Sequence, residues 1–223
     1  MITCDEFCRL YWAHYISLER ELFQTTTYVD ISTDNYHTYS EAYLKLLLEI
    51  GSEIDVAQKL YCNLLDATFA GEKIDKYRAC ILANNSAFFT QETSVKDGLI
   101  SIKPWENYDP SGNIVSPFWW TAYNKCKHER TIVGQIDGIT KEYYKFANLK
   151  YTLNALAGLY QTLLYTYKII ASQEGKRIVV PLPGSRLFKL TGVDWESIQV
   201  MDDTAIYCDN GEFIIEKSGS IYY

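Results

Sequence analysis

Apolar residues alternate four and three apart along most of the first 175 positions, the spacing that lines one face of an α-helix. Cys8, Tyr11, Tyr15, Leu18 and Leu22 predict a first helix over about 3–25. A polar stretch from Thr25 to Thr38 follows, and Thr38-Tyr39-Ser40-Glu41 has the form of a capping box, which satisfies two N–H groups left over at a helix start. The stripe Tyr43, Leu47, Ile50, Ile54, Ala57, Tyr61 and Leu64 keeps its phase for three heptads and predicts a second helix, paired with the first at a shallow angle. A less regular third helix is expected over 74–89. Gly98, Pro104, Pro110 and Gly112 then exclude a continuous helix, with a short strand expected at 99–103. Ser116-Pro117 reads as an N-cap followed by Pro at the first helical position, opening a fourth helix over about 117–130. Beyond Gly134 and Gly138, Thr140 is expected to open the longest helix, with the stripe Leu149, Leu153, Leu156, Tyr160, Leu163, Tyr167 and Ile170 and a stop at Gly175. Ala155 and Gly158 on that helix are small enough to admit a close neighbour.

From Lys176 the pattern changes. Ile178-Val179-Val180, a second run at Ile206, and Asp209-Asn210-Gly211 before Glu212-Phe213-Ile214-Ile215 predict strands, the last two joined by a type I′ turn. The expected fold is mainly α: an antiparallel helical bundle of about five helices over 1–175, with a small C-terminal β-hairpin appendage over 176–223 packed on it.

Composition changes this picture in two ways. Nineteen Tyr and five Trp put large apolar bodies with polar tips into a chain of 223 residues, as suits cores and interfaces. A net charge of −7 excludes the broad basic footprint that holds long nucleic acids, so a nucleic-acid site has to be local. Cys4, Cys8, Cys62, Cys80, Cys126 and Cys208 are scattered without CxxC or zinc-type spacing; they read as reduced, buried thiols, and neither metal nor cofactor is expected. Charges at Asp5, Glu6 and Arg9 interrupt any signal peptide, and Lys150, Asn154, Gln161 and Lys168 break the longest apolar stretch, so a cytoplasmic, non-membrane protein is expected. P-loop, dinucleotide and α/β-hydrolase motifs do not occur.

Candidate chemistry concentrates in Pro117 to Arg130. Helical spacing puts Trp120, Asn124 and His128 in one row, with Lys127 beside Asn124 and Tyr123. An imidazole for proton transfer, an amide to orient it, cations at Lys125, Lys127 and Arg130 to hold phosphate, and rings such as Tyr123 to stack on a base are the parts of phosphodiester chemistry. The same pattern also fits a solvated helix face with two Trp in the core.

Tyr123-Asn124-Lys125-Cys126-Lys127-His128 resembles the Arg-polar-x-x-x-His motif of the HEPN superfamily, and the surrounding Trp-Trp-x-x-Tyr-Asn-x-x-Lys-His resembles divergent bacterial HEPN-like proteins. Active members cut RNA without metal, using the 2′-hydroxyl as nucleophile at a site shared across a dimer. The resemblance therefore implies a ribonuclease, or a degenerate relative, of a toxin or phage-defence system. His128 would be its acid or base and Asn124 its orienting partner. Tyr123 stands where the motif has Arg, so the cation has to come from Lys127 or Arg130.

The expected partners are RNA in a local basic cleft, a second copy in a two-fold homodimer whose interface core uses aromatic side chains near the fourth and fifth helices, and a protein partner such as an antitoxin. The rival from another class is a non-catalytic helical protein-interaction module. Weaker candidates are Glu49, Glu53 and Asp55, with Ser52 to Asp55 placed to orient His128 from the second helix. His14 and His37 have no metal-like partners in the sequence.

Overall fold

A computed structural model describes residues 2–95, 98–108, 116–176, 180–191, 199–201, 204–209 and 212–217. The protein is mainly helical, with small antiparallel sheets of two or three strands. Helix α1 runs through Cys4–Phe7, a π-helical segment Cys8–Trp12, and Ala13–Thr25. Helix α2 is Glu41–Leu65, α3 Ile74–Asn84, α4 Phe118–His128 and α5 Leu149–Gln173. Strands β1 (Thr93–Val95), β2 (Ile100–Ile102) and β5 (Phe188–Leu190) form one sheet in the order β2-β1-β5. Strands β3 (Val133–Ile136) and β4 (Ile139–Glu142) form a hairpin, and β6 (Gln199–Met201), β7 (Thr204–Asp209) and β8 (Glu212–Lys217) a further sheet.

Helix α5 is the centre. Its apolar stripe is the expected one, but burial extends all round the helix, to Ala155, Ala157, Gly158, Leu159, Thr162 and Leu164, as a helix enclosed by neighbours requires. Two of its buried hydroxyls turn back into the helix, Thr162 and Thr166 donating to the Gly158 and Thr162 carbonyls at 2.8 and 2.7 Å, while Thr152 donates across to Tyr43 O at 3.5 Å. The close neighbour at Gly158 is aromatic, because a Cβ there would lie 3.3 Å from the Trp105 ring and 3.4 Å from Trp119.

The second helix packs chiefly on α5, not on α1 as its stripe suggested. Leu149 N–H donates to Thr38 O at 3.0 Å, and Tyr39 bridges to Asn148, so α2 and α5 start side by side and run the same way. Helix α1 runs antiparallel to both, with the Tyr15 and Tyr160 rings 5.6 Å apart and Phe7 5.6 Å from Tyr167.

Several boundaries differ from expectation for identifiable reasons. Ser40, not Thr38, caps α2 by accepting from Tyr43 N, whereas a full capping box forms at Thr3 and Glu6. In α1 the N–H of Ala13 donates to Cys8 O, five residues back, and this extra residue puts Phe7 and Trp12 in the core where Cys8 and Tyr11 were expected. Helix α3 stops at Asn84, and a 3-10 turn, Ser86–Thr90, carries Phe88 and Phe89 inward. The helix expected from Thr140 begins only at Leu149, capped by Asn148; β3, β4 and a 3-10 turn, Tyr143–Phe146, fill the interval. Gly175 follows the end of α5 at φ 66°, a left-handed conformation suited to glycine.

The chain beyond α5 returns to α1 through a buried acid. Glu19, 3% exposed, accepts from Tyr15 Oη at 2.7 Å, Arg186 N at 2.9 Å, Leu187 N at 3.3 Å and the Ser185 hydroxyl. Trp12 Nε1 donates to Pro183 O at 2.9 Å, and β5 then pairs with β1, Val95 opposite Phe188. Farther on, β7 and β8 pair with Asp209 opposite Glu212, the register of a two-residue hairpin. Ile178, Val179 and the Asn210-Gly211 turn lie outside the described residues.

Candidate functional site

Helix α4 begins with Pro117 itself as the N-cap, its carbonyl accepting from Trp120 and Thr121 N–H at 3.0 Å; Ser116 makes no cap. The amino-terminal half is core. Trp119 donates to Pro104 O at 2.6 Å and meets the Trp105 ring edge-on at 5.0 Å. Tyr123, 5% exposed, lies flat on α2 at Gly51, where a Cβ would come within 2.3 Å of its ring. The position that the motif reserves for Arg is thus a packing ring, and Trp119 and Tyr123 are committed to the chain's own interior.

The carboxyl-terminal turn faces water. His128 and Lys127 are exposed, and among the described residues no hydrogen bond or ion pair reaches the His128 imidazole. Lys127 Nζ donates to Tyr123 Oη at 3.1 Å and sits 5.4 Å from that ring centre. Arg130 bonds through Nε to Cys126 O at 2.8 Å, tying the residue after the helix back to its last turn. Lys125 pairs with Glu129 at 2.7 Å, which raises the Lys125 pKa above its ordinary value. Cys126 is buried under Tyr143 O, and burial pushes its thiol up to about 11 against the opposing pull of Arg130 and Lys141.

Asn124 and His128 therefore share one helix end with Lys127 and Arg130, but they do not bond to each other. The Asn124 amide donates to Trp120 O at 3.0 Å, inside its own helix. Glu53 does not approach His128; it faces α1, 3.6 Å from His14 Nε2. Asp55 lies beside the Tyr77 hydroxyl of α3, so the carboxylates of α2 diverge. Among the described residues no three His, Cys, Asp or Glu side chains converge as a metal site requires, and no helix is long and apolar enough to cross a membrane. A groove of about 840 Å³ between α1 and α2, lined by Arg20, Gln24, Tyr28, Tyr43 and Lys45 among others, is remote in composition from this helix end and includes none of its residues.

The surroundings of the helix end were not foreseen. Tyr144 N–H donates to Arg130 O at 3.1 Å and Tyr143 N–H to Ile132 O at 2.9 Å, so the β3–β4 hairpin continues directly from α4. Lys141, Lys145 and Lys150 thereby join Lys125, Lys127 and Arg130. Residues 118–151 hold these six cations against Glu129, Asp137 and Glu142, while the remainder of the chain holds fifteen against twenty-five carboxylates. The signal for this hairpin was the Asp137-Gly138 pair between apolar runs; both adopt positive φ, 54° and 74°, as a type I′ turn demands.

Comparison with protein-family models, curated proteins and solved structures gives no match to this chain.

Proposed function

We propose that the protein is a HEPN-like, metal-independent endoribonuclease of toxin or phage-defence type that works as a two-fold homodimer, or a relative of such enzymes that keeps RNA binding alone. The observation that supports this reading is His128: an exposed imidazole that bonds to none of the described residues, at the end of α4, in a stretch where six cations stand against three carboxylates. Buried histidines of purely structural use are held by partners; this one is free to exchange protons with a bound molecule.

In this reading one imidazole takes the proton of a ribose 2′-hydroxyl as that oxygen attacks the adjacent phosphorus. A second imidazole gives a proton to the departing 5′-oxygen, leaving a cyclic phosphate and a free 5′-hydroxyl. Each chain supplies one His128, so the pair of groups requires the second copy. Lys127 and Arg130 stand nearest to serve the charge that develops on phosphorus-bound oxygen, in place of the Arg that Tyr123 replaces.

The test is incubation of the purified protein with mixed RNA in EDTA, beside His128→Ala and with light scattering of both. Cleavage by a dimer that disappears in the variant is the expected result. Intact RNA in the presence of a folded wild-type dimer, or a monomer at micromolar concentration, removes the catalytic reading. An interaction module, the second reading, is favoured by Ile132 and Val133, which are 50% and 61% exposed beside the same helix end.

A further inference from the structure

Two tyrosine rings stand on the surface beside the helix end that carries His128. Tyr39 is 45% and Tyr144 39% exposed, their centroids lie 5.7 Å apart at 82°, and Lys145 Nζ is 6.0 and 5.7 Å from the two ring centres. Most other rings in this chain are buried in the core, so this pair is not surplus packing. Its position is fixed from both sides. Tyr39 bridges to Asn148 at the start of α5, and Tyr144 N–H is held by Arg130 O just past the end of α4.

We infer that Tyr39 and Tyr144, with Lys145, Lys141 and Arg130 around them, form a platform that takes an unstacked base of single-stranded RNA and holds its flanking phosphates. The ligand class rests on the function proposed above; the platform itself is a binding surface separate from proton transfer. Exposed aromatic faces accept any base by stacking, and neighbouring cations track the backbone, which together define single-strand binding. Among the described residues Lys141 pairs with no carboxylate, and its Nζ lies 4.6 Å from the Phe146 ring centre. Partial burial and the Lys145 ammonium hold Lys141 below its ordinary pKa, so an anion beside the two relieves a repulsion already present. Lys145 itself is shared with Glu142 at 2.7 Å, and Lys125 and Lys150 are likewise paired. That leaves too few open cations for a duplex or an anionic membrane, both of which need a broad positive face.

The experiment is fluorescence anisotropy with a short labelled single strand of 2′-O-methyl RNA, which cannot be cut, in parallel with a duplex of the same sequence and with vesicles of phosphatidylserine. Wild type should bind the single strand and neither the duplex nor the vesicles. Tyr39→Ala/Tyr144→Ala should bind about tenfold or more weaker, with unchanged circular dichroism, and the corresponding double Phe variant should recover wild-type binding because the rings stay. Lys141→Gln should lower the slope of log affinity against log salt by about 0.7. Unaltered binding by the double Ala variant overturns the platform, as does wild type that binds no RNA or prefers the duplex or the vesicles. The two proposals separate cleanly. Binding without cutting of ordinary RNA sinks the nuclease and leaves the platform; cutting that the double Ala variant performs as well as wild type does the reverse.

Discussion

Glu19 and His128 mark opposite solutions to the placement of an ionisable side chain. Around Glu19 four donors from Tyr15, Ser185, Arg186 and Leu187 converge on one buried carboxylate. Around the His128 imidazole no partner converges among the described residues, although the helix beneath it is anchored by Trp119 and Tyr123. A group held by four donors has its chemistry consumed by the fold. A group left open on a rigid support keeps its chemistry for something else. The contrast teaches where to look in a chain without matching relatives: at polar groups the architecture could have satisfied and did not.

The largest effect that sharpens this contrast is expected from Glu19→Ala. It takes the acceptor from the buried Leu187 N–H, the Arg186 N–H and the Tyr15 and Ser185 hydroxyls, so unfolding free energy should fall by about 3–5 kcal/mol and Tm by about 6–20 °C, measured by chemical and thermal denaturation. A loss below 1 kcal/mol would mean that water replaces the carboxylate and that the region is less closed than it looks. Next in size, Gly51→Ala pushes a methyl into the Tyr123 ring and should cost about 1–3 kcal/mol by overpacking, read from the same denaturation curves. If it is neutral, Tyr123 is not the fixed support of the helix end. Smallest are Asn124→Ala and His128→Ala, each expected to change stability by less than about 0.5 kcal/mol. A larger loss at His128 would place it with Glu19 among the structural groups and remove it from the chemistry.

Much of the helical core was legible in the sequence, because a periodic stripe reports a single buried face. Tyr43, Leu47, Ile50, Ile54, Ala57 and Tyr61 are all buried on α2 as their spacing implied. Burial around the rest of α5 was only partly marked: Tyr151, Leu159 and Leu164 lie off the stripe, but the Ala, Gly and Thr positions between them carry too little hydrophobic signal to define a second face. The start of α1 was misphased for a different reason: periodicity assumes one hydrogen-bond pattern, and the π-helical segment changes it between Phe7 and Trp12. At the candidate site the sequence brought Asn124, Lys127, His128 and Arg130 to one helix end, which is local geometry. It did not reveal that Tyr123 turns onto Gly51, or that Tyr39 arrives beside Tyr144, because both are contacts between distant parts of the chain. Lys141 and Lys145 were hidden by reading Thr140 onward as helix, where Asp137-Gly138 should have outweighed the helical composition after it.

The surplus residue in α1 also makes that helix a splice between two reading frames. Residues after Trp12 face α5 in one angular frame; Cys4 and Phe7 reach Glu174 and Tyr167 only because the π-helical segment rotates the preceding turn by roughly one residue's angle, about 100°. Deleting a single residue from 9–11 would let an ordinary α-helix form without interruption. The same deletion would leave Phe7 four residues from Trp12, about one α-helical turn, so both would keep their place on the buried face. Comparison of this segment is accordingly governed by length as much as by residue type: a chain one residue shorter here would keep both faces with an unbroken α-helix, whereas an unbroken α-helix of the present length would turn Phe7 about 100° off the end of α5.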